Sequence, residues 1–132
     1  MKQEDKELLL KDLCARLPYG VKMNHIDDDE INPLILIGIA RSMITLAGNG
    51  GFASVDIEEY KPYLFPLSSM TTEQRYELHD LIHNLNVLAI NREIGDWVVS
   101  SSEIDWYNKN HFDYRALIPK GLAIDATGLN IY

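Results

Sequence analysis

A chain of 132 residues with 46% hydrophobic and 24% charged residues has the size and make-up of one domain, residues 1–132, around one core, and not of a disordered tail or coiled coil. Its formal charge of −8 opposes a broad phosphate-neutralising surface, so nucleic acid is not an expected partner. A single cysteine, Cys14, excludes an internal disulfide and a cysteine-based zinc site and fits a reducing compartment.

Residues Met1–Lys6 are charged and lead directly into a leucine cluster, without the long apolar segment of a signal peptide. The longest strongly apolar run, Leu34–Ile37 with Ile39 and Ala40 just beyond, is too short to cross a bilayer. A cytoplasmic protein with no membrane association is expected.

Leu9, Leu10, Leu13, Cys14 and Leu17 recur at three- and four-residue steps, which predicts a helix from about Glu4 to Leu17 with Cys14 on its apolar side. Pro18 and Gly20 end it. Val21 and Met23 alternate with Lys22 as a short strand does, and Asp27–Glu30 reads as a solvated turn. The aliphatic segment Leu34–Ile39 suits a central strand covered on both faces. Met43–Leu46 is its neighbour, Gly48-Asn49-Gly50-Gly51 supplies a reversal, and Ala53, Val55 and Ile57 alternate with polar residues to complete a hairpin. Pro62 and Pro66 predict that Tyr60–Met70 runs extended over the core without forming a regular element.

Thr71 followed three residues later by Gln74 has the spacing of a capping box, predicting a helix from there to about Asn86 or Asn91. A short strand is expected at Asp96–Val99. Ser102 with Asp105 marks a further helix start, with Ile104, Tyr107, Asn108 and His111 on one face. The expected fold class is α+β. It comprises an N-terminal helix, a small antiparallel sheet or partly closed barrel of three to five strands, and two further helices in the C-terminal half.

Three strings lie near the start, middle and end of the chain: Lys11-Asp-Leu-Cys-Ala-Arg-Leu-Pro-Tyr-Gly-Val-Lys22, Lys61-Pro-Tyr-Leu-Phe-Pro-Leu-Ser-Ser-Met-Thr71 and Asp105-Trp-Tyr-Asn-Lys-Asn-His-Phe-Asp-Tyr-Arg-Ala-Leu-Ile118. Together they resemble an abundant family of small, uncharacterised Bacteroidales proteins, frequent in phages, prophages and other mobile elements of gut bacteria. The chain departs from that pattern at Phe65, where a basic residue is common, and at Ala116, where glycine is common. The resemblance implies a mobile-element setting and carries over no catalytic residue.

Candidate chemistry lies in two places. His79 and His83, four residues apart on the predicted helix, present two imidazoles on one face where they could share a metal, with His111 or Asp113 as a distant third ligand. His111, Asp113, Tyr114 and Arg115 place a base, a carboxylate, a phenol and a cation within five positions. The same residues also have a structural reading, as a helix-end histidine, an Asp–Arg turn pair and an inward-packing tyrosine. Gly48–Gly51 lacks the lysine of a P-loop and reads as a turn.

Aromatic residues dominate interface energetics when exposed, so Tyr60, Tyr63, Phe65 and Trp106 are candidate contact residues together with His111, Asp113, Tyr114 and Arg115. Most of these aromatics read as core residues, and Tyr63 and Phe65 form the expected partner patch if they lie outside on the proline-bearing segment. The leading expectation is a non-enzymatic accessory protein acting through a protein partner or self-association, with no cofactor. The alternative is a small ligand-binding or metal-dependent hydrolytic domain using His79, His83, His111 and Asp113.

Overall fold

The computed structural model describes the backbone of residues 1–92 and 96–132 and the side chains of residues 1–83 and 102–132. The fold is α+β. Helix α1 (Gln3–Arg16) precedes strands β1 (Lys22–His25), β2 (Leu34–Ala40), β3 (Met43–Gly48), β4 (Gly51–Asp56) and β5 (Tyr60–Pro66). Helices α2 (Thr72–Arg92) and α3 (Asp96–Lys109) follow, then two short strands, β6 (Phe112–Asp113) and β7 (Ile124–Asp125).

The strands make one open, mixed sheet of hydrogen-bonded order β4-β3-β2-β1-β5-β6, with β7 also paired to β5. Strands β1 to β4 form an antiparallel meander, as the alternation predicts, but the sheet is larger than three to five strands and does not close. The hairpin between β3 and β4 turns on two residues, Asn49 and Gly50, both at positive φ, the type I′ geometry whose twist matches that of paired strands. Gly48 leaves room for Leu34, since a Cβ there would meet the end of the Leu34 side chain and force it to move.

Three expectations are corrected. Tyr60–Pro66 is a regular strand lying between β1 on one side and parallel partners, not an irregular cover. Its prolines sit at the end of the β1 ladder, where Met23 opposes Pro62, and at the last residue of the strand, the positions at which a missing N–H is tolerated. Asp96–Val99 is the opening turn of α3 and not a strand, so Ser102 lies inside that helix; Gly95 lies outside the described residues. Strand β2 is covered on one face only, since Leu36 is buried while Ile35 and Ile37 are exposed.

The main core lies between α1 and the inner face of the sheet. Leu9 and Leu13 of α1 meet Val21, Met23, Leu36, Ile44 and Leu46, with Leu117 and Leu122 closing it from the C-terminal segment. Burying each such side chain contributes roughly 1.5–3 kcal/mol before conformational entropy is counted. A second cluster packs Trp106 of α3 against Leu78 of α2 and Phe112 of β6. In a third, Ala126 and Ile131 lie over Tyr63 of β5. Cys14 does not share the inward face of α1; it is exposed, and the inward positions after Leu9 are Asp12, Leu13 and Arg16.

Candidate functional site

The C-terminal residues singled out in the sequence are brought together, and most of their hydrogen bonds hold the fold, while His111 Nδ1, Arg115 Nε and Arg16 Nη1 are buried without a hydrogen-bond partner. Arg16, fully buried, donates from Nε and Nη2 to Asp12 at 2.7 and 3.2 Å and from Nη2 to the carbonyl of Phe112 at 2.6 Å. Arg115 Nε lies 3.3 Å from the same Asp12 carboxylate. Both guanidinium groups lie over the Tyr114 ring, that of Arg16 5.4 Å and that of Arg115 4.8 Å from its centroid, and the ring also stacks on Tyr107. A charge taken out of water is tolerated when it is paired and hydrogen-bonded in this way. Asp12 and Arg16 were not candidates, because a four-residue Asp–Arg spacing on a helix ordinarily signals a solvated ion pair.

Asp113 is buried, and its two carboxylate oxygens accept from the backbone N–H groups of Leu117 and Ile118, each at 2.9 Å. It closes a turn and is not free to ligate. His111 has φ +62, and its ring stacks on Tyr132 with centroids 3.7 Å apart and planes 11° from parallel. Burial, reinforced by the positive charges of Arg16 and Lys22, lowers its pKa from 6.5 to about 4, so the imidazole is neutral at physiological pH.

His79 and His83 stack with ring centroids 6.4 Å apart, and the His79 side chain is 77% exposed. Among the described residues no three His, Cys, Asp or Glu side chains gather as a metal site would require. The metal site that the alternative reading expects is not assembled among the described residues. It needed His79, His83, His111 and Asp113 to converge, but the first pair faces solvent on α2 while the second is committed to a stack and a turn.

The expected contact patch is likewise relocated. Tyr63 is buried beneath the C-terminal segment, Phe65 packs between Phe112 and Tyr132, and Trp106 is buried with its indole N–H donated to Glu77 at 3.1 Å. Tyr60 is half-buried and meets His25 edge-on at 5.1 Å. A cleft of about 400 Å³ opens beside that pair, lined also by Asp27, Asp28 and Asn32. Two of its side chains help shape the β1–β2 loop, His25 Nδ1 accepting from Asp27 N at 3.1 Å and Asp28 Oδ1 from Glu30 N at 3.0 Å.

The bare surface lies elsewhere, on the outer face of the sheet. Register places Lys22, Ile35, Ala47 and Phe52 in one row across β1, β2, β3 and β4, and Tyr63 of β5 falls opposite Lys22 in the same ladder. The C-terminal segment covers the Tyr63 end of this row. At the other end Ile35 is 41% exposed, Phe52 78%, and neighbouring Ile37 50%. Strand β4 bounds this bare half as an edge, with Gly51–Ser54 exposed and no charge before Asp56. An exposed aromatic beside an uncharged edge that no described strand pairs is a combination suited to contact with another chain.

No protein-family model matches the chain, and neither a curated protein nor a solved structure is significantly similar to it. No helix among the described residues is long and apolar enough to cross a membrane.

Proposed function

We propose that this protein acts through protein contacts, and that the outer face of β2–β4 with the free edge of β4 is the surface it uses. The observation that carries the reading is Phe52, 78% exposed on a strand that has no partner on its outer side among the described residues. Leaving a phenyl ring in water forfeits roughly 1.5–3 kcal/mol of burial, and an aromatic in that position is the kind of side chain that anchors an interface. The uncharged edge supplies unpaired backbone donors and acceptors, the chemistry by which an extended strand is added to a sheet. The setting we propose is that of a non-enzymatic accessory protein of a phage or mobile element, working in the reducing cytoplasm, in keeping with the family resemblance and the single exposed Cys14.

The test is a photo-reactive amino acid at position 52, irradiated in cells that make the protein. A defined protein adduct, absent when the same residue is placed at exposed position 76 on α2, is the expected result. Irradiation that yields no adduct from position 52 overturns the reading.

A further inference from the structure

Resting on that reading, we propose that the occupant of the β4 edge is a second copy of this chain, its β4 antiparallel to the first about a two-fold axis at Ala53.

The direction of every peptide group in β4 is fixed by the hairpin. A type I′ turn at Asn49–Gly50 makes Gly48 and Gly51 a hydrogen-bonded pair, and such pairs alternate along an antiparallel ladder. At the far end Ile57 N donates to Ser42 O at 3.0 Å, in phase with that alternation. Residues 51, 53 and 55 therefore bond to β3, while Phe52 and Ser54 aim their N–H and C=O groups at the free edge. Placing Ala53 opposite Ala53 of the second copy sets Phe52 against Ser54 in both directions, so each outward donor and acceptor finds its complement.

Charge at the edge does not oppose a copy, despite the net charge of −8. Gly51–Val55 carries no charge, and in this register the first acid, Asp56, lies opposite the uncharged turn residue Gly50. The two Asp56 side chains are then about 20 Å apart along the strands, well beyond a Debye length of about 8 Å at physiological salt. Any strand carrying acidic residues at its centre lacks this property, and no cluster of acids lies on the edge to call for a basic one.

The side chains fit the same axis. The two Phe52 residues become diagonal neighbours at about 7–8 Å, within reach of each other's rings, on one continuous outer face backed by Ala47 and Ile35 of each copy. Strand β4 bears no lysine, proline or bulge to block an approach, since its pairing with β3 is unbroken from Met43–Asp56 to Gly48–Gly51. Because each copy spends the same edge, the pairing closes as a dimer and does not propagate.

The experiment is size-exclusion chromatography with light scattering across a concentration series, on wild type, Ser54→Pro and Phe52→Lys, each with a far-ultraviolet circular dichroism spectrum. Proline at 54 removes an outward N–H that the fold itself does not use. The wild type is expected at twice its 15.1 kDa chain mass and both variants at the chain mass with unchanged spectra. In a Cys14→Ser background, Ala53→Cys is expected to form an intermolecular disulfide on mild oxidation. A non-hydrogen-bonded pair on the axis brings its Cα atoms to about 4.5 Å. Val55→Cys, about 13 Å from its copy, is expected not to react.

A wild type that is monomeric at every concentration overturns the proposal, as does a dimer unaffected by both variants or one cross-linked equally at 53 and 55. A monomer whose position 52 still labels a different protein in cells overturns self-pairing alone and leaves the contact surface standing.

Discussion

Lys22 and Tyr63 face each other across β1 and β5, yet the hydrogen bond between them passes through a third residue. Lys22 N–H donates to the Tyr132 hydroxyl at 2.7 Å, and that hydroxyl donates to the Tyr63 carbonyl at 2.9 Å. The phenol stands in the ladder where the register that pairs Met23 with Pro62 reaches its next step. Lys22 Nζ holds the same segment by donating to the Ile131 carbonyl at 2.7 Å. The C-terminal segment is thus part of the sheet's hydrogen bonding, and it is what keeps Tyr63 and Phe65 from being a surface.

Tyr132→Phe keeps the ring that stacks on His111 but removes both bonds. It is expected to lower stability by about 1–3 kcal/mol, since a half-buried donor and a carbonyl lose their partner together. Urea unfolding followed by circular dichroism measures the loss, and an unchanged midpoint would show that water replaces the hydroxyl without cost.

His111 makes stability depend on pH in a stated direction. Its folded pKa is about 4 against an ordinary 6.5, so as pH falls through 6.5 the unfolded chain takes up a proton that the native state refuses. This contribution is fully present above pH 6.5 and is lost progressively as pH falls from 6.5 towards 4. His111→Asn suits the positive φ and removes the titration. The difference in stability between wild type and variant is expected to shift in the variant's favour as pH falls across that interval, and a constant difference would contradict the assignment.

Asp12 balances two guanidinium groups. Asp12→Ala is expected to cost about 3–5 kcal/mol, because it leaves the fully buried Arg16 without its counter-charge. Replacing Asp12 by Leu and Arg16 by Met together is expected to cost less than the single change. A double variant less stable than Asp12→Ala in chemical denaturation would contradict this.

Ala116 occupies a left-handed conformation at φ +59, which crowds its Cβ against the backbone. Ala116→Gly removes that crowding at an entropic cost, and a net gain of about 0.5–1 kcal/mol is expected in thermal unfolding.

Local signals were legible where both partners lie close in sequence. The capping box forms as its spacing predicts, with Gln74 N donating to Thr71 Oγ1 at 3.1 Å and Thr71 N to Gln74 Oε1 at 2.9 Å. The hairpin follows its Asn-Gly turn. What could not be read depends on residues far apart. Pro62 signalled a break because nothing local shows that the segment pairs with β1, and whether Tyr63 lies outside could not be read because Ile131 and Tyr132 cover it from the other end of the chain. The bare outer half of β2 was hidden for the same reason, since an aliphatic run reads as buried on both faces whether or not an element exists to cover the second. Candidate residues His111 to Arg115 were found as a cluster, but the buried partners that give them a structural task, Asp12 and Arg16, sit on the first helix.

The central claim, that the free edge of β4 is a contact surface that a second copy occupies, is tested most directly by amide hydrogen exchange on the intact protein as a function of its concentration. Phe52 and Ser54 are predicted to exchange fast when dilute and to become protected as concentration rises, while Ala53 and Val55, bonded to β3, stay protected throughout. Fast exchange at Phe52 and Ser54 at every concentration would contradict the pairing.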